Sequence, residues 1–132
     1  EPEDAEAAVK SGADAIVVSN HGGRQLDGAP SSIRALPRIV SAVGNDIEVW
    51  MDGGIRSGQD ILRAWALGAR GVLIGRPYIY GLGAYGEAGV TRALEILYNE
   101  MDITMAFTGH RNIQNVTRDI LVNGTYPVPE GA

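Results

Sequence analysis

Cysteine is absent from this 132-residue chain, which excludes disulfides, thiolate metal sites and a cysteine nucleophile. Positive charge is in deficit, with 11 Lys+Arg against 16 Asp+Glu and a formal net charge of −5. Nucleic acids and anionic membranes are bound by clustered Lys and Arg, so neither is expected as a partner. No apolar run approaches the ~18–20 residues of a membrane span. The opening Glu1-Pro2-Glu3-Asp4 is acidic, unlike a secretory signal or a transit peptide. A cytoplasmic location is expected. What remains is glycine-rich, with 18 Gly and 45% hydrophobic residues, and has the length of one modest α/β domain.

Short apolar runs alternate with amphipathic stretches. Residues 13–19, 47–52 and 71–75 are β-branched or continuously apolar, as strands buried on both faces should be. Each follows a stretch with helical periodicity that closes on glycine. These helices are predicted over about 3–11, ending at Gly12; 31–43, ending at Gly44; and 58–67, where Ser57 and Asp60 form a capping box and Gly68 a C-cap. Pro37 predicts a break in the second. A longer helix is expected over about 88–107, a shorter one over 112–121, and an extended tail over 123–132.

Helix then strand, three times over, predicts parallel βα units. The strand starts lie roughly 34 and 24 residues apart, close to the ~31 per unit of a (β/α)8 barrel. Three strands do not close a barrel of eight. The expected fold is therefore α/β, about three βα units forming the C-terminal part of a TIM barrel that is incomplete as given, with residues 1–122 as the barrel portion. A flavodoxin-like sheet is the competing architecture, but it wants five strands.

Ligands of parallel α/β proteins collect at the C-terminal ends of the strands. Three loops lie there: Ser19-Asn20-His21-Gly22-Gly23-Arg24, then Asp52-Gly53-Gly54-Ile55-Arg56-Ser57, then Gly75-Arg76-Pro77. Each pairs glycine with arginine, and three arginines converging in an acidic chain indicate an anionic ligand. Gly53-Gly54 ahead of one helix and Gly75-Arg76-Pro77 at the start of the next offer unpaired N–H groups and helix dipoles to a phosphate. Asp52 suits sugar-like hydroxyls instead, so the pair points to a phosphorylated polyol. His21 is placed to take a proton near neutral pH, and Arg24 to hold a carboxylate bidentately. The same spacing also fits a turn histidine with Arg24 paired to Asp27. His110 lies off the strand-end pattern and is read as structural.

These three loops, taken together and read from about Asp4 to Val122, resemble the FMN-dependent 2-hydroxy acid oxidase/dehydrogenase family. The Ser19–Asp27 segment, SNHGGRQLD, carries most of the specificity. The resemblance implies FMN as cofactor and oxidation of a small L-2-hydroxy acid of the lactate, glycolate or mandelate type to its 2-oxo acid. His21 then corresponds to the catalytic base and Arg24 to the carboxylate clamp. Ser19 matches a position near the flavin and Asp52 a ribityl partner. Gly53, Gly54, Arg56, Gly75 and Arg76 match the phosphate cradle. The electron acceptor, whether dioxygen, a quinone or a cytochrome, is left open; a homo-oligomer of the tetramer type is expected at full length, and the resemblance also implies peripheral attachment to the inner face of a membrane as a variant of the cytoplasmic location. Further active-site residues are implied upstream of Glu1, so the 132-residue chain alone is expected to turn over little or no substrate. Two alternatives are a nucleotide-utilising barrel of the inosine monophosphate dehydrogenase type and a non-catalytic fragment that folds or assembles with a partner.

Overall fold

Pro2 begins the first helix, where a missing N–H removes no hydrogen bond, and a reciprocal capping box between Glu1 and Asp4 closes that end of α1 (Pro2–Lys10). Gly12 then takes a φ of 83°, and the turn it makes donates Gly12 N–H to Val9 O and Ala13 N–H to Ala8 O. In the computed structural model, which describes residues 1–128, this pattern continues as β1 (Ala15–Val18), α2 (Ser32–Val43), β2 (Glu48–Met51), α3 (Gly58–Ala66), β3 (Gly71–Val72) and α4 (Arg76–Phe107). The three strands are parallel in the order β1-β2-β3, with Val17 opposite Trp50 and Trp50 opposite Gly71. All three strand-end loops therefore leave the sheet at one rim.

The core lies on one side of this sheet. Leu36, Ile39 and Val43 of α2 pack with Ala5 of α1, Val49 and Met51 of β2, and Ile55, Ala64, Leu67 and Ala69 around α3. A second cluster, Leu62, Ala66, Met105 and Val116, joins α3 to α4 and the chain beyond it. The opposite face is open: Val17, Trp50 and Leu73 are exposed. This corrects the expectation of strands buried on both faces. Right-handed βα crossovers place every helix on the same side, leaving uncovered the face that a closed barrel turns inward.

Three further expectations are corrected. Pro37 does not break α2, which runs unbroken through it. Pro37 is itself fully buried beside Leu36, and packing of this face outweighs the one backbone bond a proline removes. The long helix begins at Arg76 rather than near residue 88, because Tyr85 and Gly86 kink one helical run into two limbs. The limbs cross where Gly81 and Gly89 touch backbone to backbone, a contact no side chain would fit. The shorter helix expected over 112–121 is instead two 3-10 turns, Ile113–Asn115 and Arg118–Ile120. There Asn112 Oδ1 accepts the Gln114 N–H and Thr117 Oγ1 bonds Asp119, and such local side-chain bonds compete with continuous helix.

The α3–α4 contact is equally intolerant of bulk. A Cβ on Gly58 would strike the backbone of Met101, Glu100 and Leu97, whereas one on Gly83 would meet nothing. Gly58→Ala should lower unfolding stability by about 1–3 kcal/mol, while Gly83→Ala should raise it by ~0.4–1 kcal/mol. Denaturant titration of the two variants checks this opposition of sign.

Candidate functional site

The first loop is held by its own polar side chains. Asn20 Oδ1 accepts the Gly23 N–H at 3.2 Å, and Asn20 Nδ2 donates to Pro30 O at 3.2 Å, so one residue ties both ends of the loop. Ser19 Oγ accepts the His21 N–H at 3.1 Å. His21 takes a φ of 53°, followed by Gly22 at 70° and Gly23 at 71°. Glycine adopts this region freely and histidine does so at a cost. Strain of that kind persists where surrounding bonds impose it, and it gathers at functional sites. The imidazole is exposed at the rim, and among the described residues it makes no side-chain hydrogen bond. Arg24 is exposed too and forms no ion pair with Asp27, so the bland alternative for that arginine is not what the structure shows.

The second loop begins where β2 ends. Asp52 N–H donates to Val18 O at 3.2 Å, and the chain turns through Gly53 and Gly54 at φ 85° and 79°. A Cβ at Gly53 would stand 3.2 Å from Ser32 Oγ and 3.5 Å from Asn20 Oδ1. Glycine is required there by both conformation and close approach. The N–H groups of Gly53 and Gly54 have no hydrogen-bond partner among the described residues.

One expectation changes at α3, whose N-terminus is already occupied. Asp60 Oδ2 accepts the N–H groups of Arg56 and Ser57 at 3.0 Å each, and Ser57 Oγ accepts the Asp60 N–H. The Gly58 N–H donates to Glu100 Oε2 at 2.9 Å, across from α4. Two carboxylates thus take the donors and oppose the helix dipole that a phosphate would have used. By contrast, α4 opens with Gly75, Arg76 and Pro77 and has no side-chain cap. The open donors of the rim are the glycine turn and the start of α4, not the start of α3.

These donors surround one cavity of about 280 Å³, lined by Asp52, Gly53, Gly54, Arg56, Gly75 and Arg76, with Gly22 reaching in from the first loop. Every residue expected in the phosphate and polyol positions is there. Arg56 and Arg76 form no ion pair among the described residues. Asp52 Oδ1 is buried and has no hydrogen-bond partner among the described residues. A carboxylate oxygen out of water without a donor is costly, and a ligand hydroxyl would satisfy it. Donors, guanidiniums and orphaned oxygen together fit a phosphorylated polyol.

Ser19 and His21 line a neighbouring hollow of about 500 Å³ against α1 and α2, and Arg24 lines neither space. The histidine loop and the cradle share the rim, and Gly22 is where they meet. His110 stands apart, with its Nδ1 on Thr108 Oγ1 at 3.2 Å. Three contributors were invisible in the sequence spacing. Asn20 ties the first loop through two bonds that no motif announces, Glu100 lies 42 residues from the amide it caps, and Tyr126 lines a further cavity with Gly53, Gly54 and Arg76.

The family model for FMN-dependent dehydrogenases matches residues 1–123. The chain is 59% identical over 121 residues to an L-lactate dehydrogenase of Caulobacter vibrioides, covering 92% of this chain and 32% of the relative. An L-lactate dehydrogenase of Azorhizobium caulinodans is 57% identical over 122 residues, with 92% and 32% covered. Among solved structures, a mandelate oxidase with a monooxide FMN adduct superposes with a TM-score of 0.86 at 51% identity, over 89% of this chain and 38% of that one. Mandelate oxidase with benzoyl-formic acid gives 0.85 at 51% identity, over 89% and 35%. The chain spans about a third of the length of the curated relatives it matches. Its parallel βα units are part of the barrel in those oxidases, and with its glycine turns and paired arginines on one rim it belongs to the FMN-dependent dehydrogenase family.

Proposed function

We propose that this chain supplies the phosphate cradle and the proton-accepting rim of an FMN-dependent enzyme that oxidises a small L-2-hydroxy acid, of the lactate, glycolate or mandelate type, to the 2-oxo acid. The observation that carries the proposal is the single cavity ringed by Asp52, Gly53, Gly54, Arg56, Gly75 and Arg76, on the same rim as the His21 loop. Identity of 59% to an L-lactate dehydrogenase supports this reading over a nucleotide-utilising barrel.

Each residue has a task set by its chemistry. The N–H groups of Gly53 and Gly54 and the uncapped start of α4 point dipoles at a phosphate, and the Arg56 and Arg76 guanidiniums neutralise its charge. Asp52 Oδ1 accepts a ribityl hydroxyl. FMN, held there, supplies a two-electron acceptor for the hydride equivalent that leaves the substrate. Arg24 grips the substrate carboxylate with a planar fork, which fixes the carbon bearing the hydroxyl relative to the rim. His21 Nε2 takes the substrate proton, so the proton resides on the imidazole while the 2-oxo acid forms. The left-handed backbone at His21, imposed by the Ser19 and Asn20 bonds, presents the ring at the rim.

The 132-residue chain leaves Val17, Trp50 and Leu73 exposed on the open sheet face. We expect it to need the remainder of a barrel for turnover.

His21→Gln should remain yellow, because it leaves the cradle intact. L-Lactate or mandelate should bleach it ~10²–10⁴-fold more slowly, and stopped-flow absorbance would show this. Bleaching at the wild-type rate would remove the histidine from its role. Arg24→Met should raise KM strongly and also lower kcat in steady-state assays, since the carboxylate is held in the transition state as well as the ground state. In Arg76→Met, apoprotein titrated with FMN and followed by flavin fluorescence should bind roughly tenfold more weakly or worse, the usual scale for losing a charge-assisted contact.

A further inference from the structure

The family match ends at residue 123, yet the chain beyond it does not run away from the site. Gly124 takes a φ of 82° and the Thr125 N–H donates to Val122 O at 3.2 Å, so the chain turns. Arg118 then pins the returning segment: its Nη2 donates to the carbonyl oxygens of both Tyr126 and Pro127. Tyr126 is half-buried and packs with Leu121 against the main core. It also lines a cavity of about 220 Å³ whose other walls include Gly22, Gly23, Gly53, Gly54 and Arg76. This corrects the extended tail expected from residue 123, at least as far as residue 128. Residues 129–132, the rest of that expected tail, lie outside the described residues.

We infer that residues 118–128 form a latch on the anion cradle, with Tyr126 as its wall and Arg118 as its pin, an assignment that rests on the FMN-phosphate reading above. Gly53, Gly54 and Arg76 line both the ligand cavity and the smaller cavity that Tyr126 walls, so the ring stands beside the glycine turn. An aromatic wall lowers the local dielectric and strengthens the attraction between phosphate, guanidinium and N–H dipoles. It also resists the outward movement of Gly53-Gly54 that release of a gripped anion requires. One guanidinium holding two successive carbonyls fixes the backbone where the wall stands. Changes at the edge of a binding site are expressed chiefly in the dissociation rate.

The test is the rate of FMN release from the holoprotein after dilution, followed by the return of free-flavin fluorescence. Tyr126→Ala and Arg118→Gln should each release FMN about tenfold faster, while Tyr126→Phe should release it at the wild-type rate, because the ring and not the hydroxyl forms the wall. Leu97→Ala, at a buried position of α4 outside both core clusters, should lower the melting temperature without moving the release rate. If Tyr126→Ala does not fold, Tyr126→Leu carries the same comparison. Release at the wild-type rate from both Tyr126→Ala and Arg118→Gln would overturn the latch and leave the cradle standing. A wild-type protein that carries no FMN would overturn both.

Discussion

Two carboxylates decide where an anion can be held on this molecule. Asp60 and Glu100 take the N-terminal amides of α3 and set negative charge where its dipole is positive. An isolated phosphate would have found that end attractive, and here it is repelled. What stays open is the pair of glycine turns on either side, with two guanidiniums lining the same cavity that form no ion pair among the described residues. The same bonds lock the backbone that follows Gly54, so the turn is fixed in position as well as left unsatisfied. A cradle is useful only if its donors are both free and rigid. In this chain one set of side chains secures both conditions by capping the neighbouring helix.

The sheet supplies the rest of the placement. Parallel pairing from Ala15 opposite Glu48 to Met51 opposite Val72 brings three loops, distant in sequence, to one rim. The strands are short, and the order of the rim depends on the layer of helices behind them. Leu36, Val43, Val49, Met51 and Leu62 are almost wholly buried there. The first loop then departs from ordinary backbone at His21, where Ser19 and Asn20 hold a conformation that histidine does not choose alone.

Much of this was legible in the sequence because it is local. The capping box at Ser57 and Asp60, the helix-ending turns at Gly12 and Gly68, and the alternation of helix with apolar strand each need only neighbouring residues. The site residues could be nominated because strand ends in parallel sheets fall on one side, a rule of topology that does not depend on side-chain detail. What escaped was decided at long range. No spacing rule connects Glu100 to Gly58, or Tyr126 to Gly53. Pro37 was misjudged because its cost is local while its compensation, burial beside Leu36, is tertiary. The strands were read as covered on both faces because a continuous apolar run reports that a face seeks burial, not whether a partner for it is present in the chain.

The most direct measurement is a crystal structure of the holoprotein that locates the FMN phosphate. The account predicts phosphate oxygens on the amides of Gly53, Gly54 and the start of α4, a ribityl hydroxyl on Asp52 Oδ1, and the His21 imidazole on the same rim. A phosphate seated on the amides of Ser57 and Gly58, displacing Asp60 and Glu100, would contradict it, as would one bound at the opposite rim of the sheet.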